Sequence, residues 1–201
     1  LTHIPDSEIE KTKESLLQLL HAERINPGFY DTITSPTVSG VIAHEAFGHG
    51  VETDMFLKDR ARGRDYIGRP VASEIVNMAD DPSIPGAAGS YFFDHEGKLA
   101  TPTVIIEDGI LKRGITDLFS SISLGIPRSA NGRRESFKRK VYARMSNTFF
   151  ERGKTSPEVM IKGVDNGIYL EKCESGMEDP KGWGIQVTAH LGREIKNGRF
   201  T

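Results

Sequence analysis

The 201-residue chain has almost no cysteine and no long apolar stretch. A single cysteine, Cys173, cannot form an internal disulfide, which fits a reducing compartment such as the cytoplasm. No apolar run approaches the roughly 18 residues of a membrane helix, and Leu1 opens no signal peptide. The net charge of -2 predicts no general attraction to nucleic acid. These absences favour a cytoplasmic globular protein without a membrane or nucleic-acid partner.

Capping residues predict a few helices within one domain spanning residues 1–201, long enough to bury a substantial core. Ser7 and Glu10 have capping-box spacing ahead of an apolar stripe that runs to residue 24. Ser35-Pro36 and Ser156-Pro157 each place a capping hydroxyl before a proline suited to a first helical turn, and Gly163 would close the second of these helices.

Strand and turn signals fill most of the remaining chain. The turns are predicted at Asp108-Gly109 and Asn197-Gly198. The strands are predicted at residues 71–78, 103–107, 110–117, 167–173 and 184–191. Because turns rather than helices separate these strands, the sequence predicts an α+β fold, mainly antiparallel β-sheet with a few helices.

The segment HEAFGH at residues 44–49 carries the clearest chemical signal. Zinc in a hydrolase takes three protein ligands and a water, and a nearby carboxylate can take the proton of that water. The familiar zinc-protease pattern has its two histidines four residues apart on one face of a helix. Here His44 and His49 are five apart, which places them about 140° apart around a regular α-helix, too far to share one ion.

A shared metal therefore requires an irregular helix after Ser35-Pro36. Either one π-type turn aligns residues five apart, or the helix ends near Gly48 and His49 reaches back from a loop. Gly48 and Gly50 tolerate the backbone angles that such a break needs. The alternative is a chance match, which would occur in on the order of 1% of chains with this many histidines. The motif favours metal binding.

Five ordered segments make a more specific pattern than the motif alone. They are GVIAHEAFGHGVETD at 40–54, DHEG at 94–97, IEDGIL at 106–111, NGRRES at 131–136 and RMSNT at 144–148. From about residue 30 onward the chain resembles the TldD/PmbA family of metalloproteases, also described as modulators of DNA gyrase. The resemblance implies a zinc-dependent peptidase that hydrolyses peptides or unfolded polypeptide segments, in which His44 and His49 bind Zn2+ and Glu45 is the general base.

The same resemblance implies that residues 1–201 correspond to the C-terminal metalloprotease domain of TldD. The family's N-terminal α/β domain would precede Leu1, and its third zinc ligand, a cysteine, would follow Thr201. Cys173 lies in a different family segment, and a buried strand cysteine is a commoner role for it than a substitute ligand. A dimer is also expected, either a homodimer or a heterodimer with a PmbA-like paralogue that lacks the histidine pair.

Two other functions stay open from the sequence. One is a non-catalytic partner or assembly subunit, although the histidine pair favours the enzyme. The other is a gyrase- or DNA-associated factor, supported by the basic residues between 128 and 144. A solvated loop is the commoner explanation of such a run, and the resemblance adds a third, a loop beside the cleft whose arginines hold a substrate carboxylate. His95 is expected to be exposed in a turn and His190 packed in a strand, both outside the site.

Overall fold

The computed structural model describes residues 4–201. A π-helix at Ala43–Gly48 and a 3-10 turn at His49–Val51 follow the second α-helix without a break, and another 3-10 turn spans Arg62–Tyr66. The α-helices are α1 (Asp6–His21), α2 (Pro36–Ile42), α3 (Thr53–Leu57), α4 (Leu118–Leu124) and α5 (Pro157–Lys162). The strands are β1 (Asp31–Thr34), β2 (Met78–Asp80), β3 (Thr103–Glu107), β4 (Ile110–Leu111), β5 (Gly132–Arg133), β6 (Tyr142–Ala143), β7 (Thr148–Phe150), β8 (Asn166–Asp179), β9 (Gly184–Lys196) and β10 (Arg199–Phe200).

The capping signals locate most of the helix starts. Helices α2 and α5 begin at their predicted prolines, and the Ser156 side chain accepts a hydrogen bond from the Val159 backbone N–H. The prediction for α1 is wrong in detail, because the helix begins at Asp6 and Ser7 is not its cap. Its apolar stripe buries no residue against the described part of the chain. Helix α4 was not predicted, although Asp117 caps it by accepting from the Ser120 N–H.

Two four-stranded sheets carry most of the pairing. One has the order β1-β8-β9-β10 and is dominated by the long antiparallel β8–β9 hairpin, which extends the predicted strands at 167–173 and 184–191. Its β1 runs parallel to β8, a pairing the sequence did not predict. The other has the antiparallel order β4-β3-β2-β7, while β5 and β6 form a separate two-stranded ribbon. The predicted α+β class is confirmed.

Both predicted turns are present. Asp108-Gly109 joins β3 to β4, and Asn197-Gly198 joins β9 to β10. All four residues have positive φ, between 49° and 74°. That conformation matches the right-handed twist of adjacent strands and is well tolerated only by Gly, Asn and Asp.

Two predicted strands are largely wrong. Only Met78 of the segment 71–78 belongs to a strand, because the preceding residues cross the β3–β4 turn, where the Val71 and Ala72 N–H groups donate to the Gly109 carbonyl. The strand predicted at 110–117 ends at Leu111. Beyond it the chain leaves the sheet, and Ile115 hydrogen-bonds to Val51 and Thr53 behind the π-helix.

The main core lies beneath the π-helix. Its largest fully buried side chains come from β2, β3, β4 and the segment after β4, and they pack with Ala43 and Val51 from the motif region. The π-helix also contacts β7 and both strands of the β8–β9 hairpin. The motif therefore packs against both large sheets. No helix within residues 4–201 has the length and apolarity needed to cross a membrane.

Candidate metal centre

The backbone between His44 and His49 is a π-helix. The His49 N–H donates to the His44 carbonyl, a bond between residues five apart rather than the four of an α-helix. The wider turn brings residues with this spacing into line, so the two imidazole centroids lie 4.7 Å apart with their planes at 88°. Of the two backbone solutions that the sequence left open, the structure has the π-type turn.

The structure brings together all three residues singled out from the motif. One potential ligand atom from each of His44, Glu45 and His49 lies within 4.8 Å of the other two. Two zinc–nitrogen bonds of about 2.1 Å span roughly 4 Å at most, so the two imidazoles are near the separation that one ion requires. No other group of three such side chains with this spacing occurs within residues 4–201.

Contacts from distant parts of the chain hold the π-helix. The Trp183 indole N–H, in the β8–β9 turn, donates to the Ala46 carbonyl at 2.7 Å, and its ring packs against Phe47 and Tyr66. On the opposite side, a Cβ at Gly48 would overlap the Met145 sulfur. Trp183 therefore satisfies one carbonyl of the π-helix, and Met145 packs closely against Gly48, between the two histidines.

Glu45 faces strand β8. The residue is 9% exposed, and the backbone of Gly176 passes so close that a Cβ there would lie 2.5 Å from Glu45 Oε1. The carboxyl group of Glu178 is near enough to share a hydrogen bond with it. Burial first, and then Glu178, raises the pKa of Glu45 above that of an ordinary glutamate. A raised pKa suits a group that must accept and then release a proton near neutral pH.

The two histidines have different surroundings. Burial and the adjacent His49 lower the pKa of His44, which favours the neutral imidazole that a metal binds. His49 Nδ1 lies 3.5 Å from Glu52 Oε2, and this contact raises the pKa of His49. A carboxylate on one ring nitrogen is the usual way in which proteins orient a metal-binding histidine, and it leaves Nε2 of His49 for an ion.

Glu52 is a site residue that the sequence reasoning did not single out. It is 4% exposed, and Arg144 Nη1 lies 3.3 Å from its Oε2 and 3.1 Å from Asp54 Oδ1. Burial raises the pKa of Glu52, while His49 and Arg144 lower it. An acid three residues after a candidate ligand was the available signal in the sequence. Arg144 directly follows β6, 92 residues from Glu52, and its role was not identifiable without the fold.

A cleft of about 820 Å3 opens over the histidine pair. One wall is the segment 133–144, here called the basic loop, which joins and includes parts of β5 and β6. The basic stretch of the sequence therefore lies beside the candidate metal centre. Its position agrees with a loop beside a cleft, and the exposure of residues 134–140 also agrees with a solvated loop, so the choice among the explanations stays a prediction.

Buried aspartates fix both ends of the basic loop. Asp80, fully buried, accepts hydrogen bonds from Asn131 Nδ2, from the Ser146 N–H and hydroxyl, and from the Thr148 hydroxyl. Asp94 accepts from the Gly132 N–H at 3.0 Å. The basic loop is thus positioned over the histidines by three of the five family-like segments, those at 94–97, 131–136 and 144–148.

The remaining candidates lie elsewhere. Cys173 is on β8, where its thiol contacts the Ser175 and Thr188 carbonyls, and it does not belong to the histidine cluster. It is half-buried rather than buried. His95 is exposed as predicted. The prediction for His190 is wrong, because its side chain is 49% exposed and stands 4.0 Å from Glu174.

Comparison with known proteins agrees with the motif pattern. Residues 27–201 match the PmbA/TldA metallopeptidase C-terminal domain. A metalloprotease of Methanocaldococcus jannaschii is 36% identical over 95% of this chain and 42% of its own length. A zinc metalloprotease TldD homologue of Saccharolobus solfataricus is 32% identical over 94% and 42%. The crystal structure of TldE from Thermococcus kodakarensis superimposes with a TM-score of 0.77 at 22% identity, over 96% of this chain and 45% of that one. The chain thus spans about two fifths of these curated relatives.

Proposed function

The chain belongs to the PmbA/TldA metallopeptidase family, and on that premise we propose that it carries the catalytic centre of a zinc-dependent peptidase. His44 and His49 would hold the ion, and Glu45 would be the general base. The observation that supports this assignment best is the π-helix, which aligns two histidines five residues apart and leaves the intervening acid beside them.

The donor set fits zinc, which prefers imidazole nitrogen and accepts few ligands. When bound, the ion would polarise the scissile carbonyl and bring the pKa of a coordinated water to about 7. Glu45 would take the proton from the attacking water and pass it to the leaving amine. Its partial burial and the contact with Glu178 keep its proton affinity higher than that of an exposed glutamate, as this double role requires. Glu52 would orient His49.

Extended peptides are the proposed substrates. Strand β8 pairs with β1 only at Gly167–Leu170, and from Glu171 to Asp179 its sole strand partner in the described chain is β9. Gly176, within that second part, lies against Glu45. A peptide could add to such an edge through backbone hydrogen bonds, largely independent of its side chains.

We expect this chain by itself to hold zinc weakly and to cleave peptides poorly. A catalytic zinc site has three protein ligands, and with Glu45 as the base the cluster within residues 4–201 supplies two. The measurement is zinc content after dialysis against a mild chelator, together with peptide cleavage, for this chain and for a longer protein that contains it. Stoichiometric zinc and full activity in the chain alone would contradict the proposal of a ligand from outside it, and Cys173→Ser would then be tested first.

Glu52→Gln should lower zinc affinity by about tenfold or more, because the amide holds His49 less firmly and donates less electron density to it. Competition with a coloured chelator measures the affinity. Glu135→Gln is a matched control, since Glu135 is an exposed acid of the same cleft that pairs with Arg139 rather than with a histidine. Equal affinities in the two variants would remove Glu52 from the support of the site.

A dimer, with a second copy or with a PmbA-like paralogue, stays a prediction. The alternative function, a non-catalytic subunit of such a complex, predicts no zinc-dependent cleavage in any assembly that contains this chain. Sedimentation of the purified protein, alone and mixed with a paralogue, followed by peptide cleavage on each species, distinguishes the two functions.

A further inference from the structure

The cleft over the histidines is strongly basic on one side. Its lining includes six Lys or Arg side chains and only two acids, Glu52 and Glu135, in a chain whose net charge is -2. The basic residues of this wall are Arg133, Arg134, Lys138, Arg139, Lys140 and Arg144. A concave wall with one sign of charge raises the local concentration of ligands with the opposite sign.

Most of this charge is not neutralised within the protein. Arg144 is bound to Glu52 and Asp54, and Arg139 lies 3.7 Å from Glu135. The other four basic side chains form no ion pair with a carboxylate anywhere in residues 4–201. Two of those four are fixed by the fold, since Arg133 donates to the Met145 carbonyl and Arg134 to the His95 carbonyl. Their guanidinium groups keep further donors for a ligand.

We propose that the basic loop recognises acidic peptide segments, with Asp or Glu side chains of the substrate bound by Arg133, Arg134, Lys138 and Lys140 while the neighbouring peptide bond reaches the histidine pair. This inference rests on the proposed peptidase function and adds the substrate class to it. Arginine forms paired hydrogen bonds with a carboxylate, and the lysines supply mobile positive charge. A duplex nucleic acid needs a much larger basic surface than a cleft of this volume in an acidic chain offers.

The test compares two fluorescently labelled peptides of equal length, one with several glutamates and one with glutamines in their place. Binding is measured by anisotropy on the zinc-loaded Glu45→Gln protein, so that cleavage does not interfere. We expect the glutamate peptide to bind about tenfold more tightly at low ionic strength, with the preference shrinking as salt screens the exposed charges. Cleavage of both peptides by the unaltered zinc-loaded protein should show the same preference in kcat/KM.

Lys138→Gln combined with Lys140→Gln should weaken binding of the glutamate peptide about fivefold and leave binding of the glutamine peptide unchanged. Both lysines are exposed in the loop, and circular dichroism checks that the fold is kept. Lys11→Gln combined with Lys154→Gln is the matched control, because these lysines are exposed and outside the cleft.

Three results would overturn the inference. The first is equal affinity for the two peptides. The second is an equal loss of affinity for the glutamate peptide in the two double variants. The third is tighter binding of a labelled DNA duplex than of the glutamate peptide through the same lysines. A different result separates this inference from the proposed function. If the glutamate peptide binds selectively but a zinc-loaded longer protein that contains this chain cleaves neither peptide, the peptidase proposal fails and the acidic-peptide site stands as a binding site.

Discussion

Glu45→Gln is expected to reduce peptide cleavage by about 10²- to 10⁴-fold while zinc stays bound, which is the contribution of a positioned general base. The amide has nearly the same shape as the carboxylate but cannot accept the proton of the attacking water. Cleavage of a fluorogenic peptide and zinc content are measured on the same preparation of a longer protein that contains this chain.

Glu178→Gln is the informative companion variant. Glu178 is the carboxyl neighbour of Glu45, so its loss changes the charge near the site by the same amount but leaves the proposed base in place. We expect a much smaller decrease in kcat. Turnover close to that of the unaltered protein in Glu45→Gln would exclude Glu45 as the base, and equal losses in both variants would assign the effect to local charge.

Gly176→Val should lower kcat by about 10²-fold without removing zinc. A Cβ at this position lies 2.5 Å from Glu45 Oε1 and 2.6 Å from Val41 Cγ1, so we expect the Glu45 side chain to be displaced. A displacement of about 1 Å near reacting groups can cost about 10²-fold in rate. The kcat and KM of the longer protein are measured together with its zinc content.

Gly184→Val provides the matched control on the same hairpin, because a Cβ at Gly184 meets no atom within 4 Å. Trp183, the only tryptophan, donates to the Ala46 carbonyl, so its fluorescence on heating reports whether the hairpin still holds the π-helix. An unchanged kcat in Gly176→Val with an intact fluorescence transition would show that the close approach of β8 does not position Glu45.

The sequence predicted best those features that adjacent residues fix by themselves. Asp108-Gly109 and Asn197-Gly198 form turns because positive φ is tolerated there and disfavoured at most other residues. Pro36 and Pro157 start helices because their φ is preset and they lack a donor that the first turn leaves unused anyway. In each case the deciding sterics lie within three or four residues.

Predictions that depended on distant neighbours were less successful. Residues 71–78 were predicted to form a strand, but this segment hydrogen-bonds to the Gly109 carbonyl and only its end joins the sheet. His190 was expected to be packed, but about half of its side chain is exposed on β9. An alternating pattern tells which side chains share a face, and only the fold tells what lies against that face.

For the candidate site, the sequence predicted the chemistry and one constraint on the backbone. His44, Glu45 and His49 are the residues predicted to bind a metal and accept a proton, and a shared ion at a spacing of five excludes a regular α-helix, because 3.6 residues per turn puts the two rings on different faces. The choice between a π-turn and an early helix end was open. Both were compatible with the glycines around His49.

Only the tertiary structure decided that choice and completed the site. Trp183 donates to Ala46 from 137 residues away, Met145 fills the space beside Gly48, and Arg144 reaches Glu52, which faces His49. A π-turn gains little from its own hydrogen bonds, so contacts from outside the helix have to stabilise it. Those contacts come from residues far apart in the chain, whose meeting depends on the pairing of the sheets and is not encoded in any short segment.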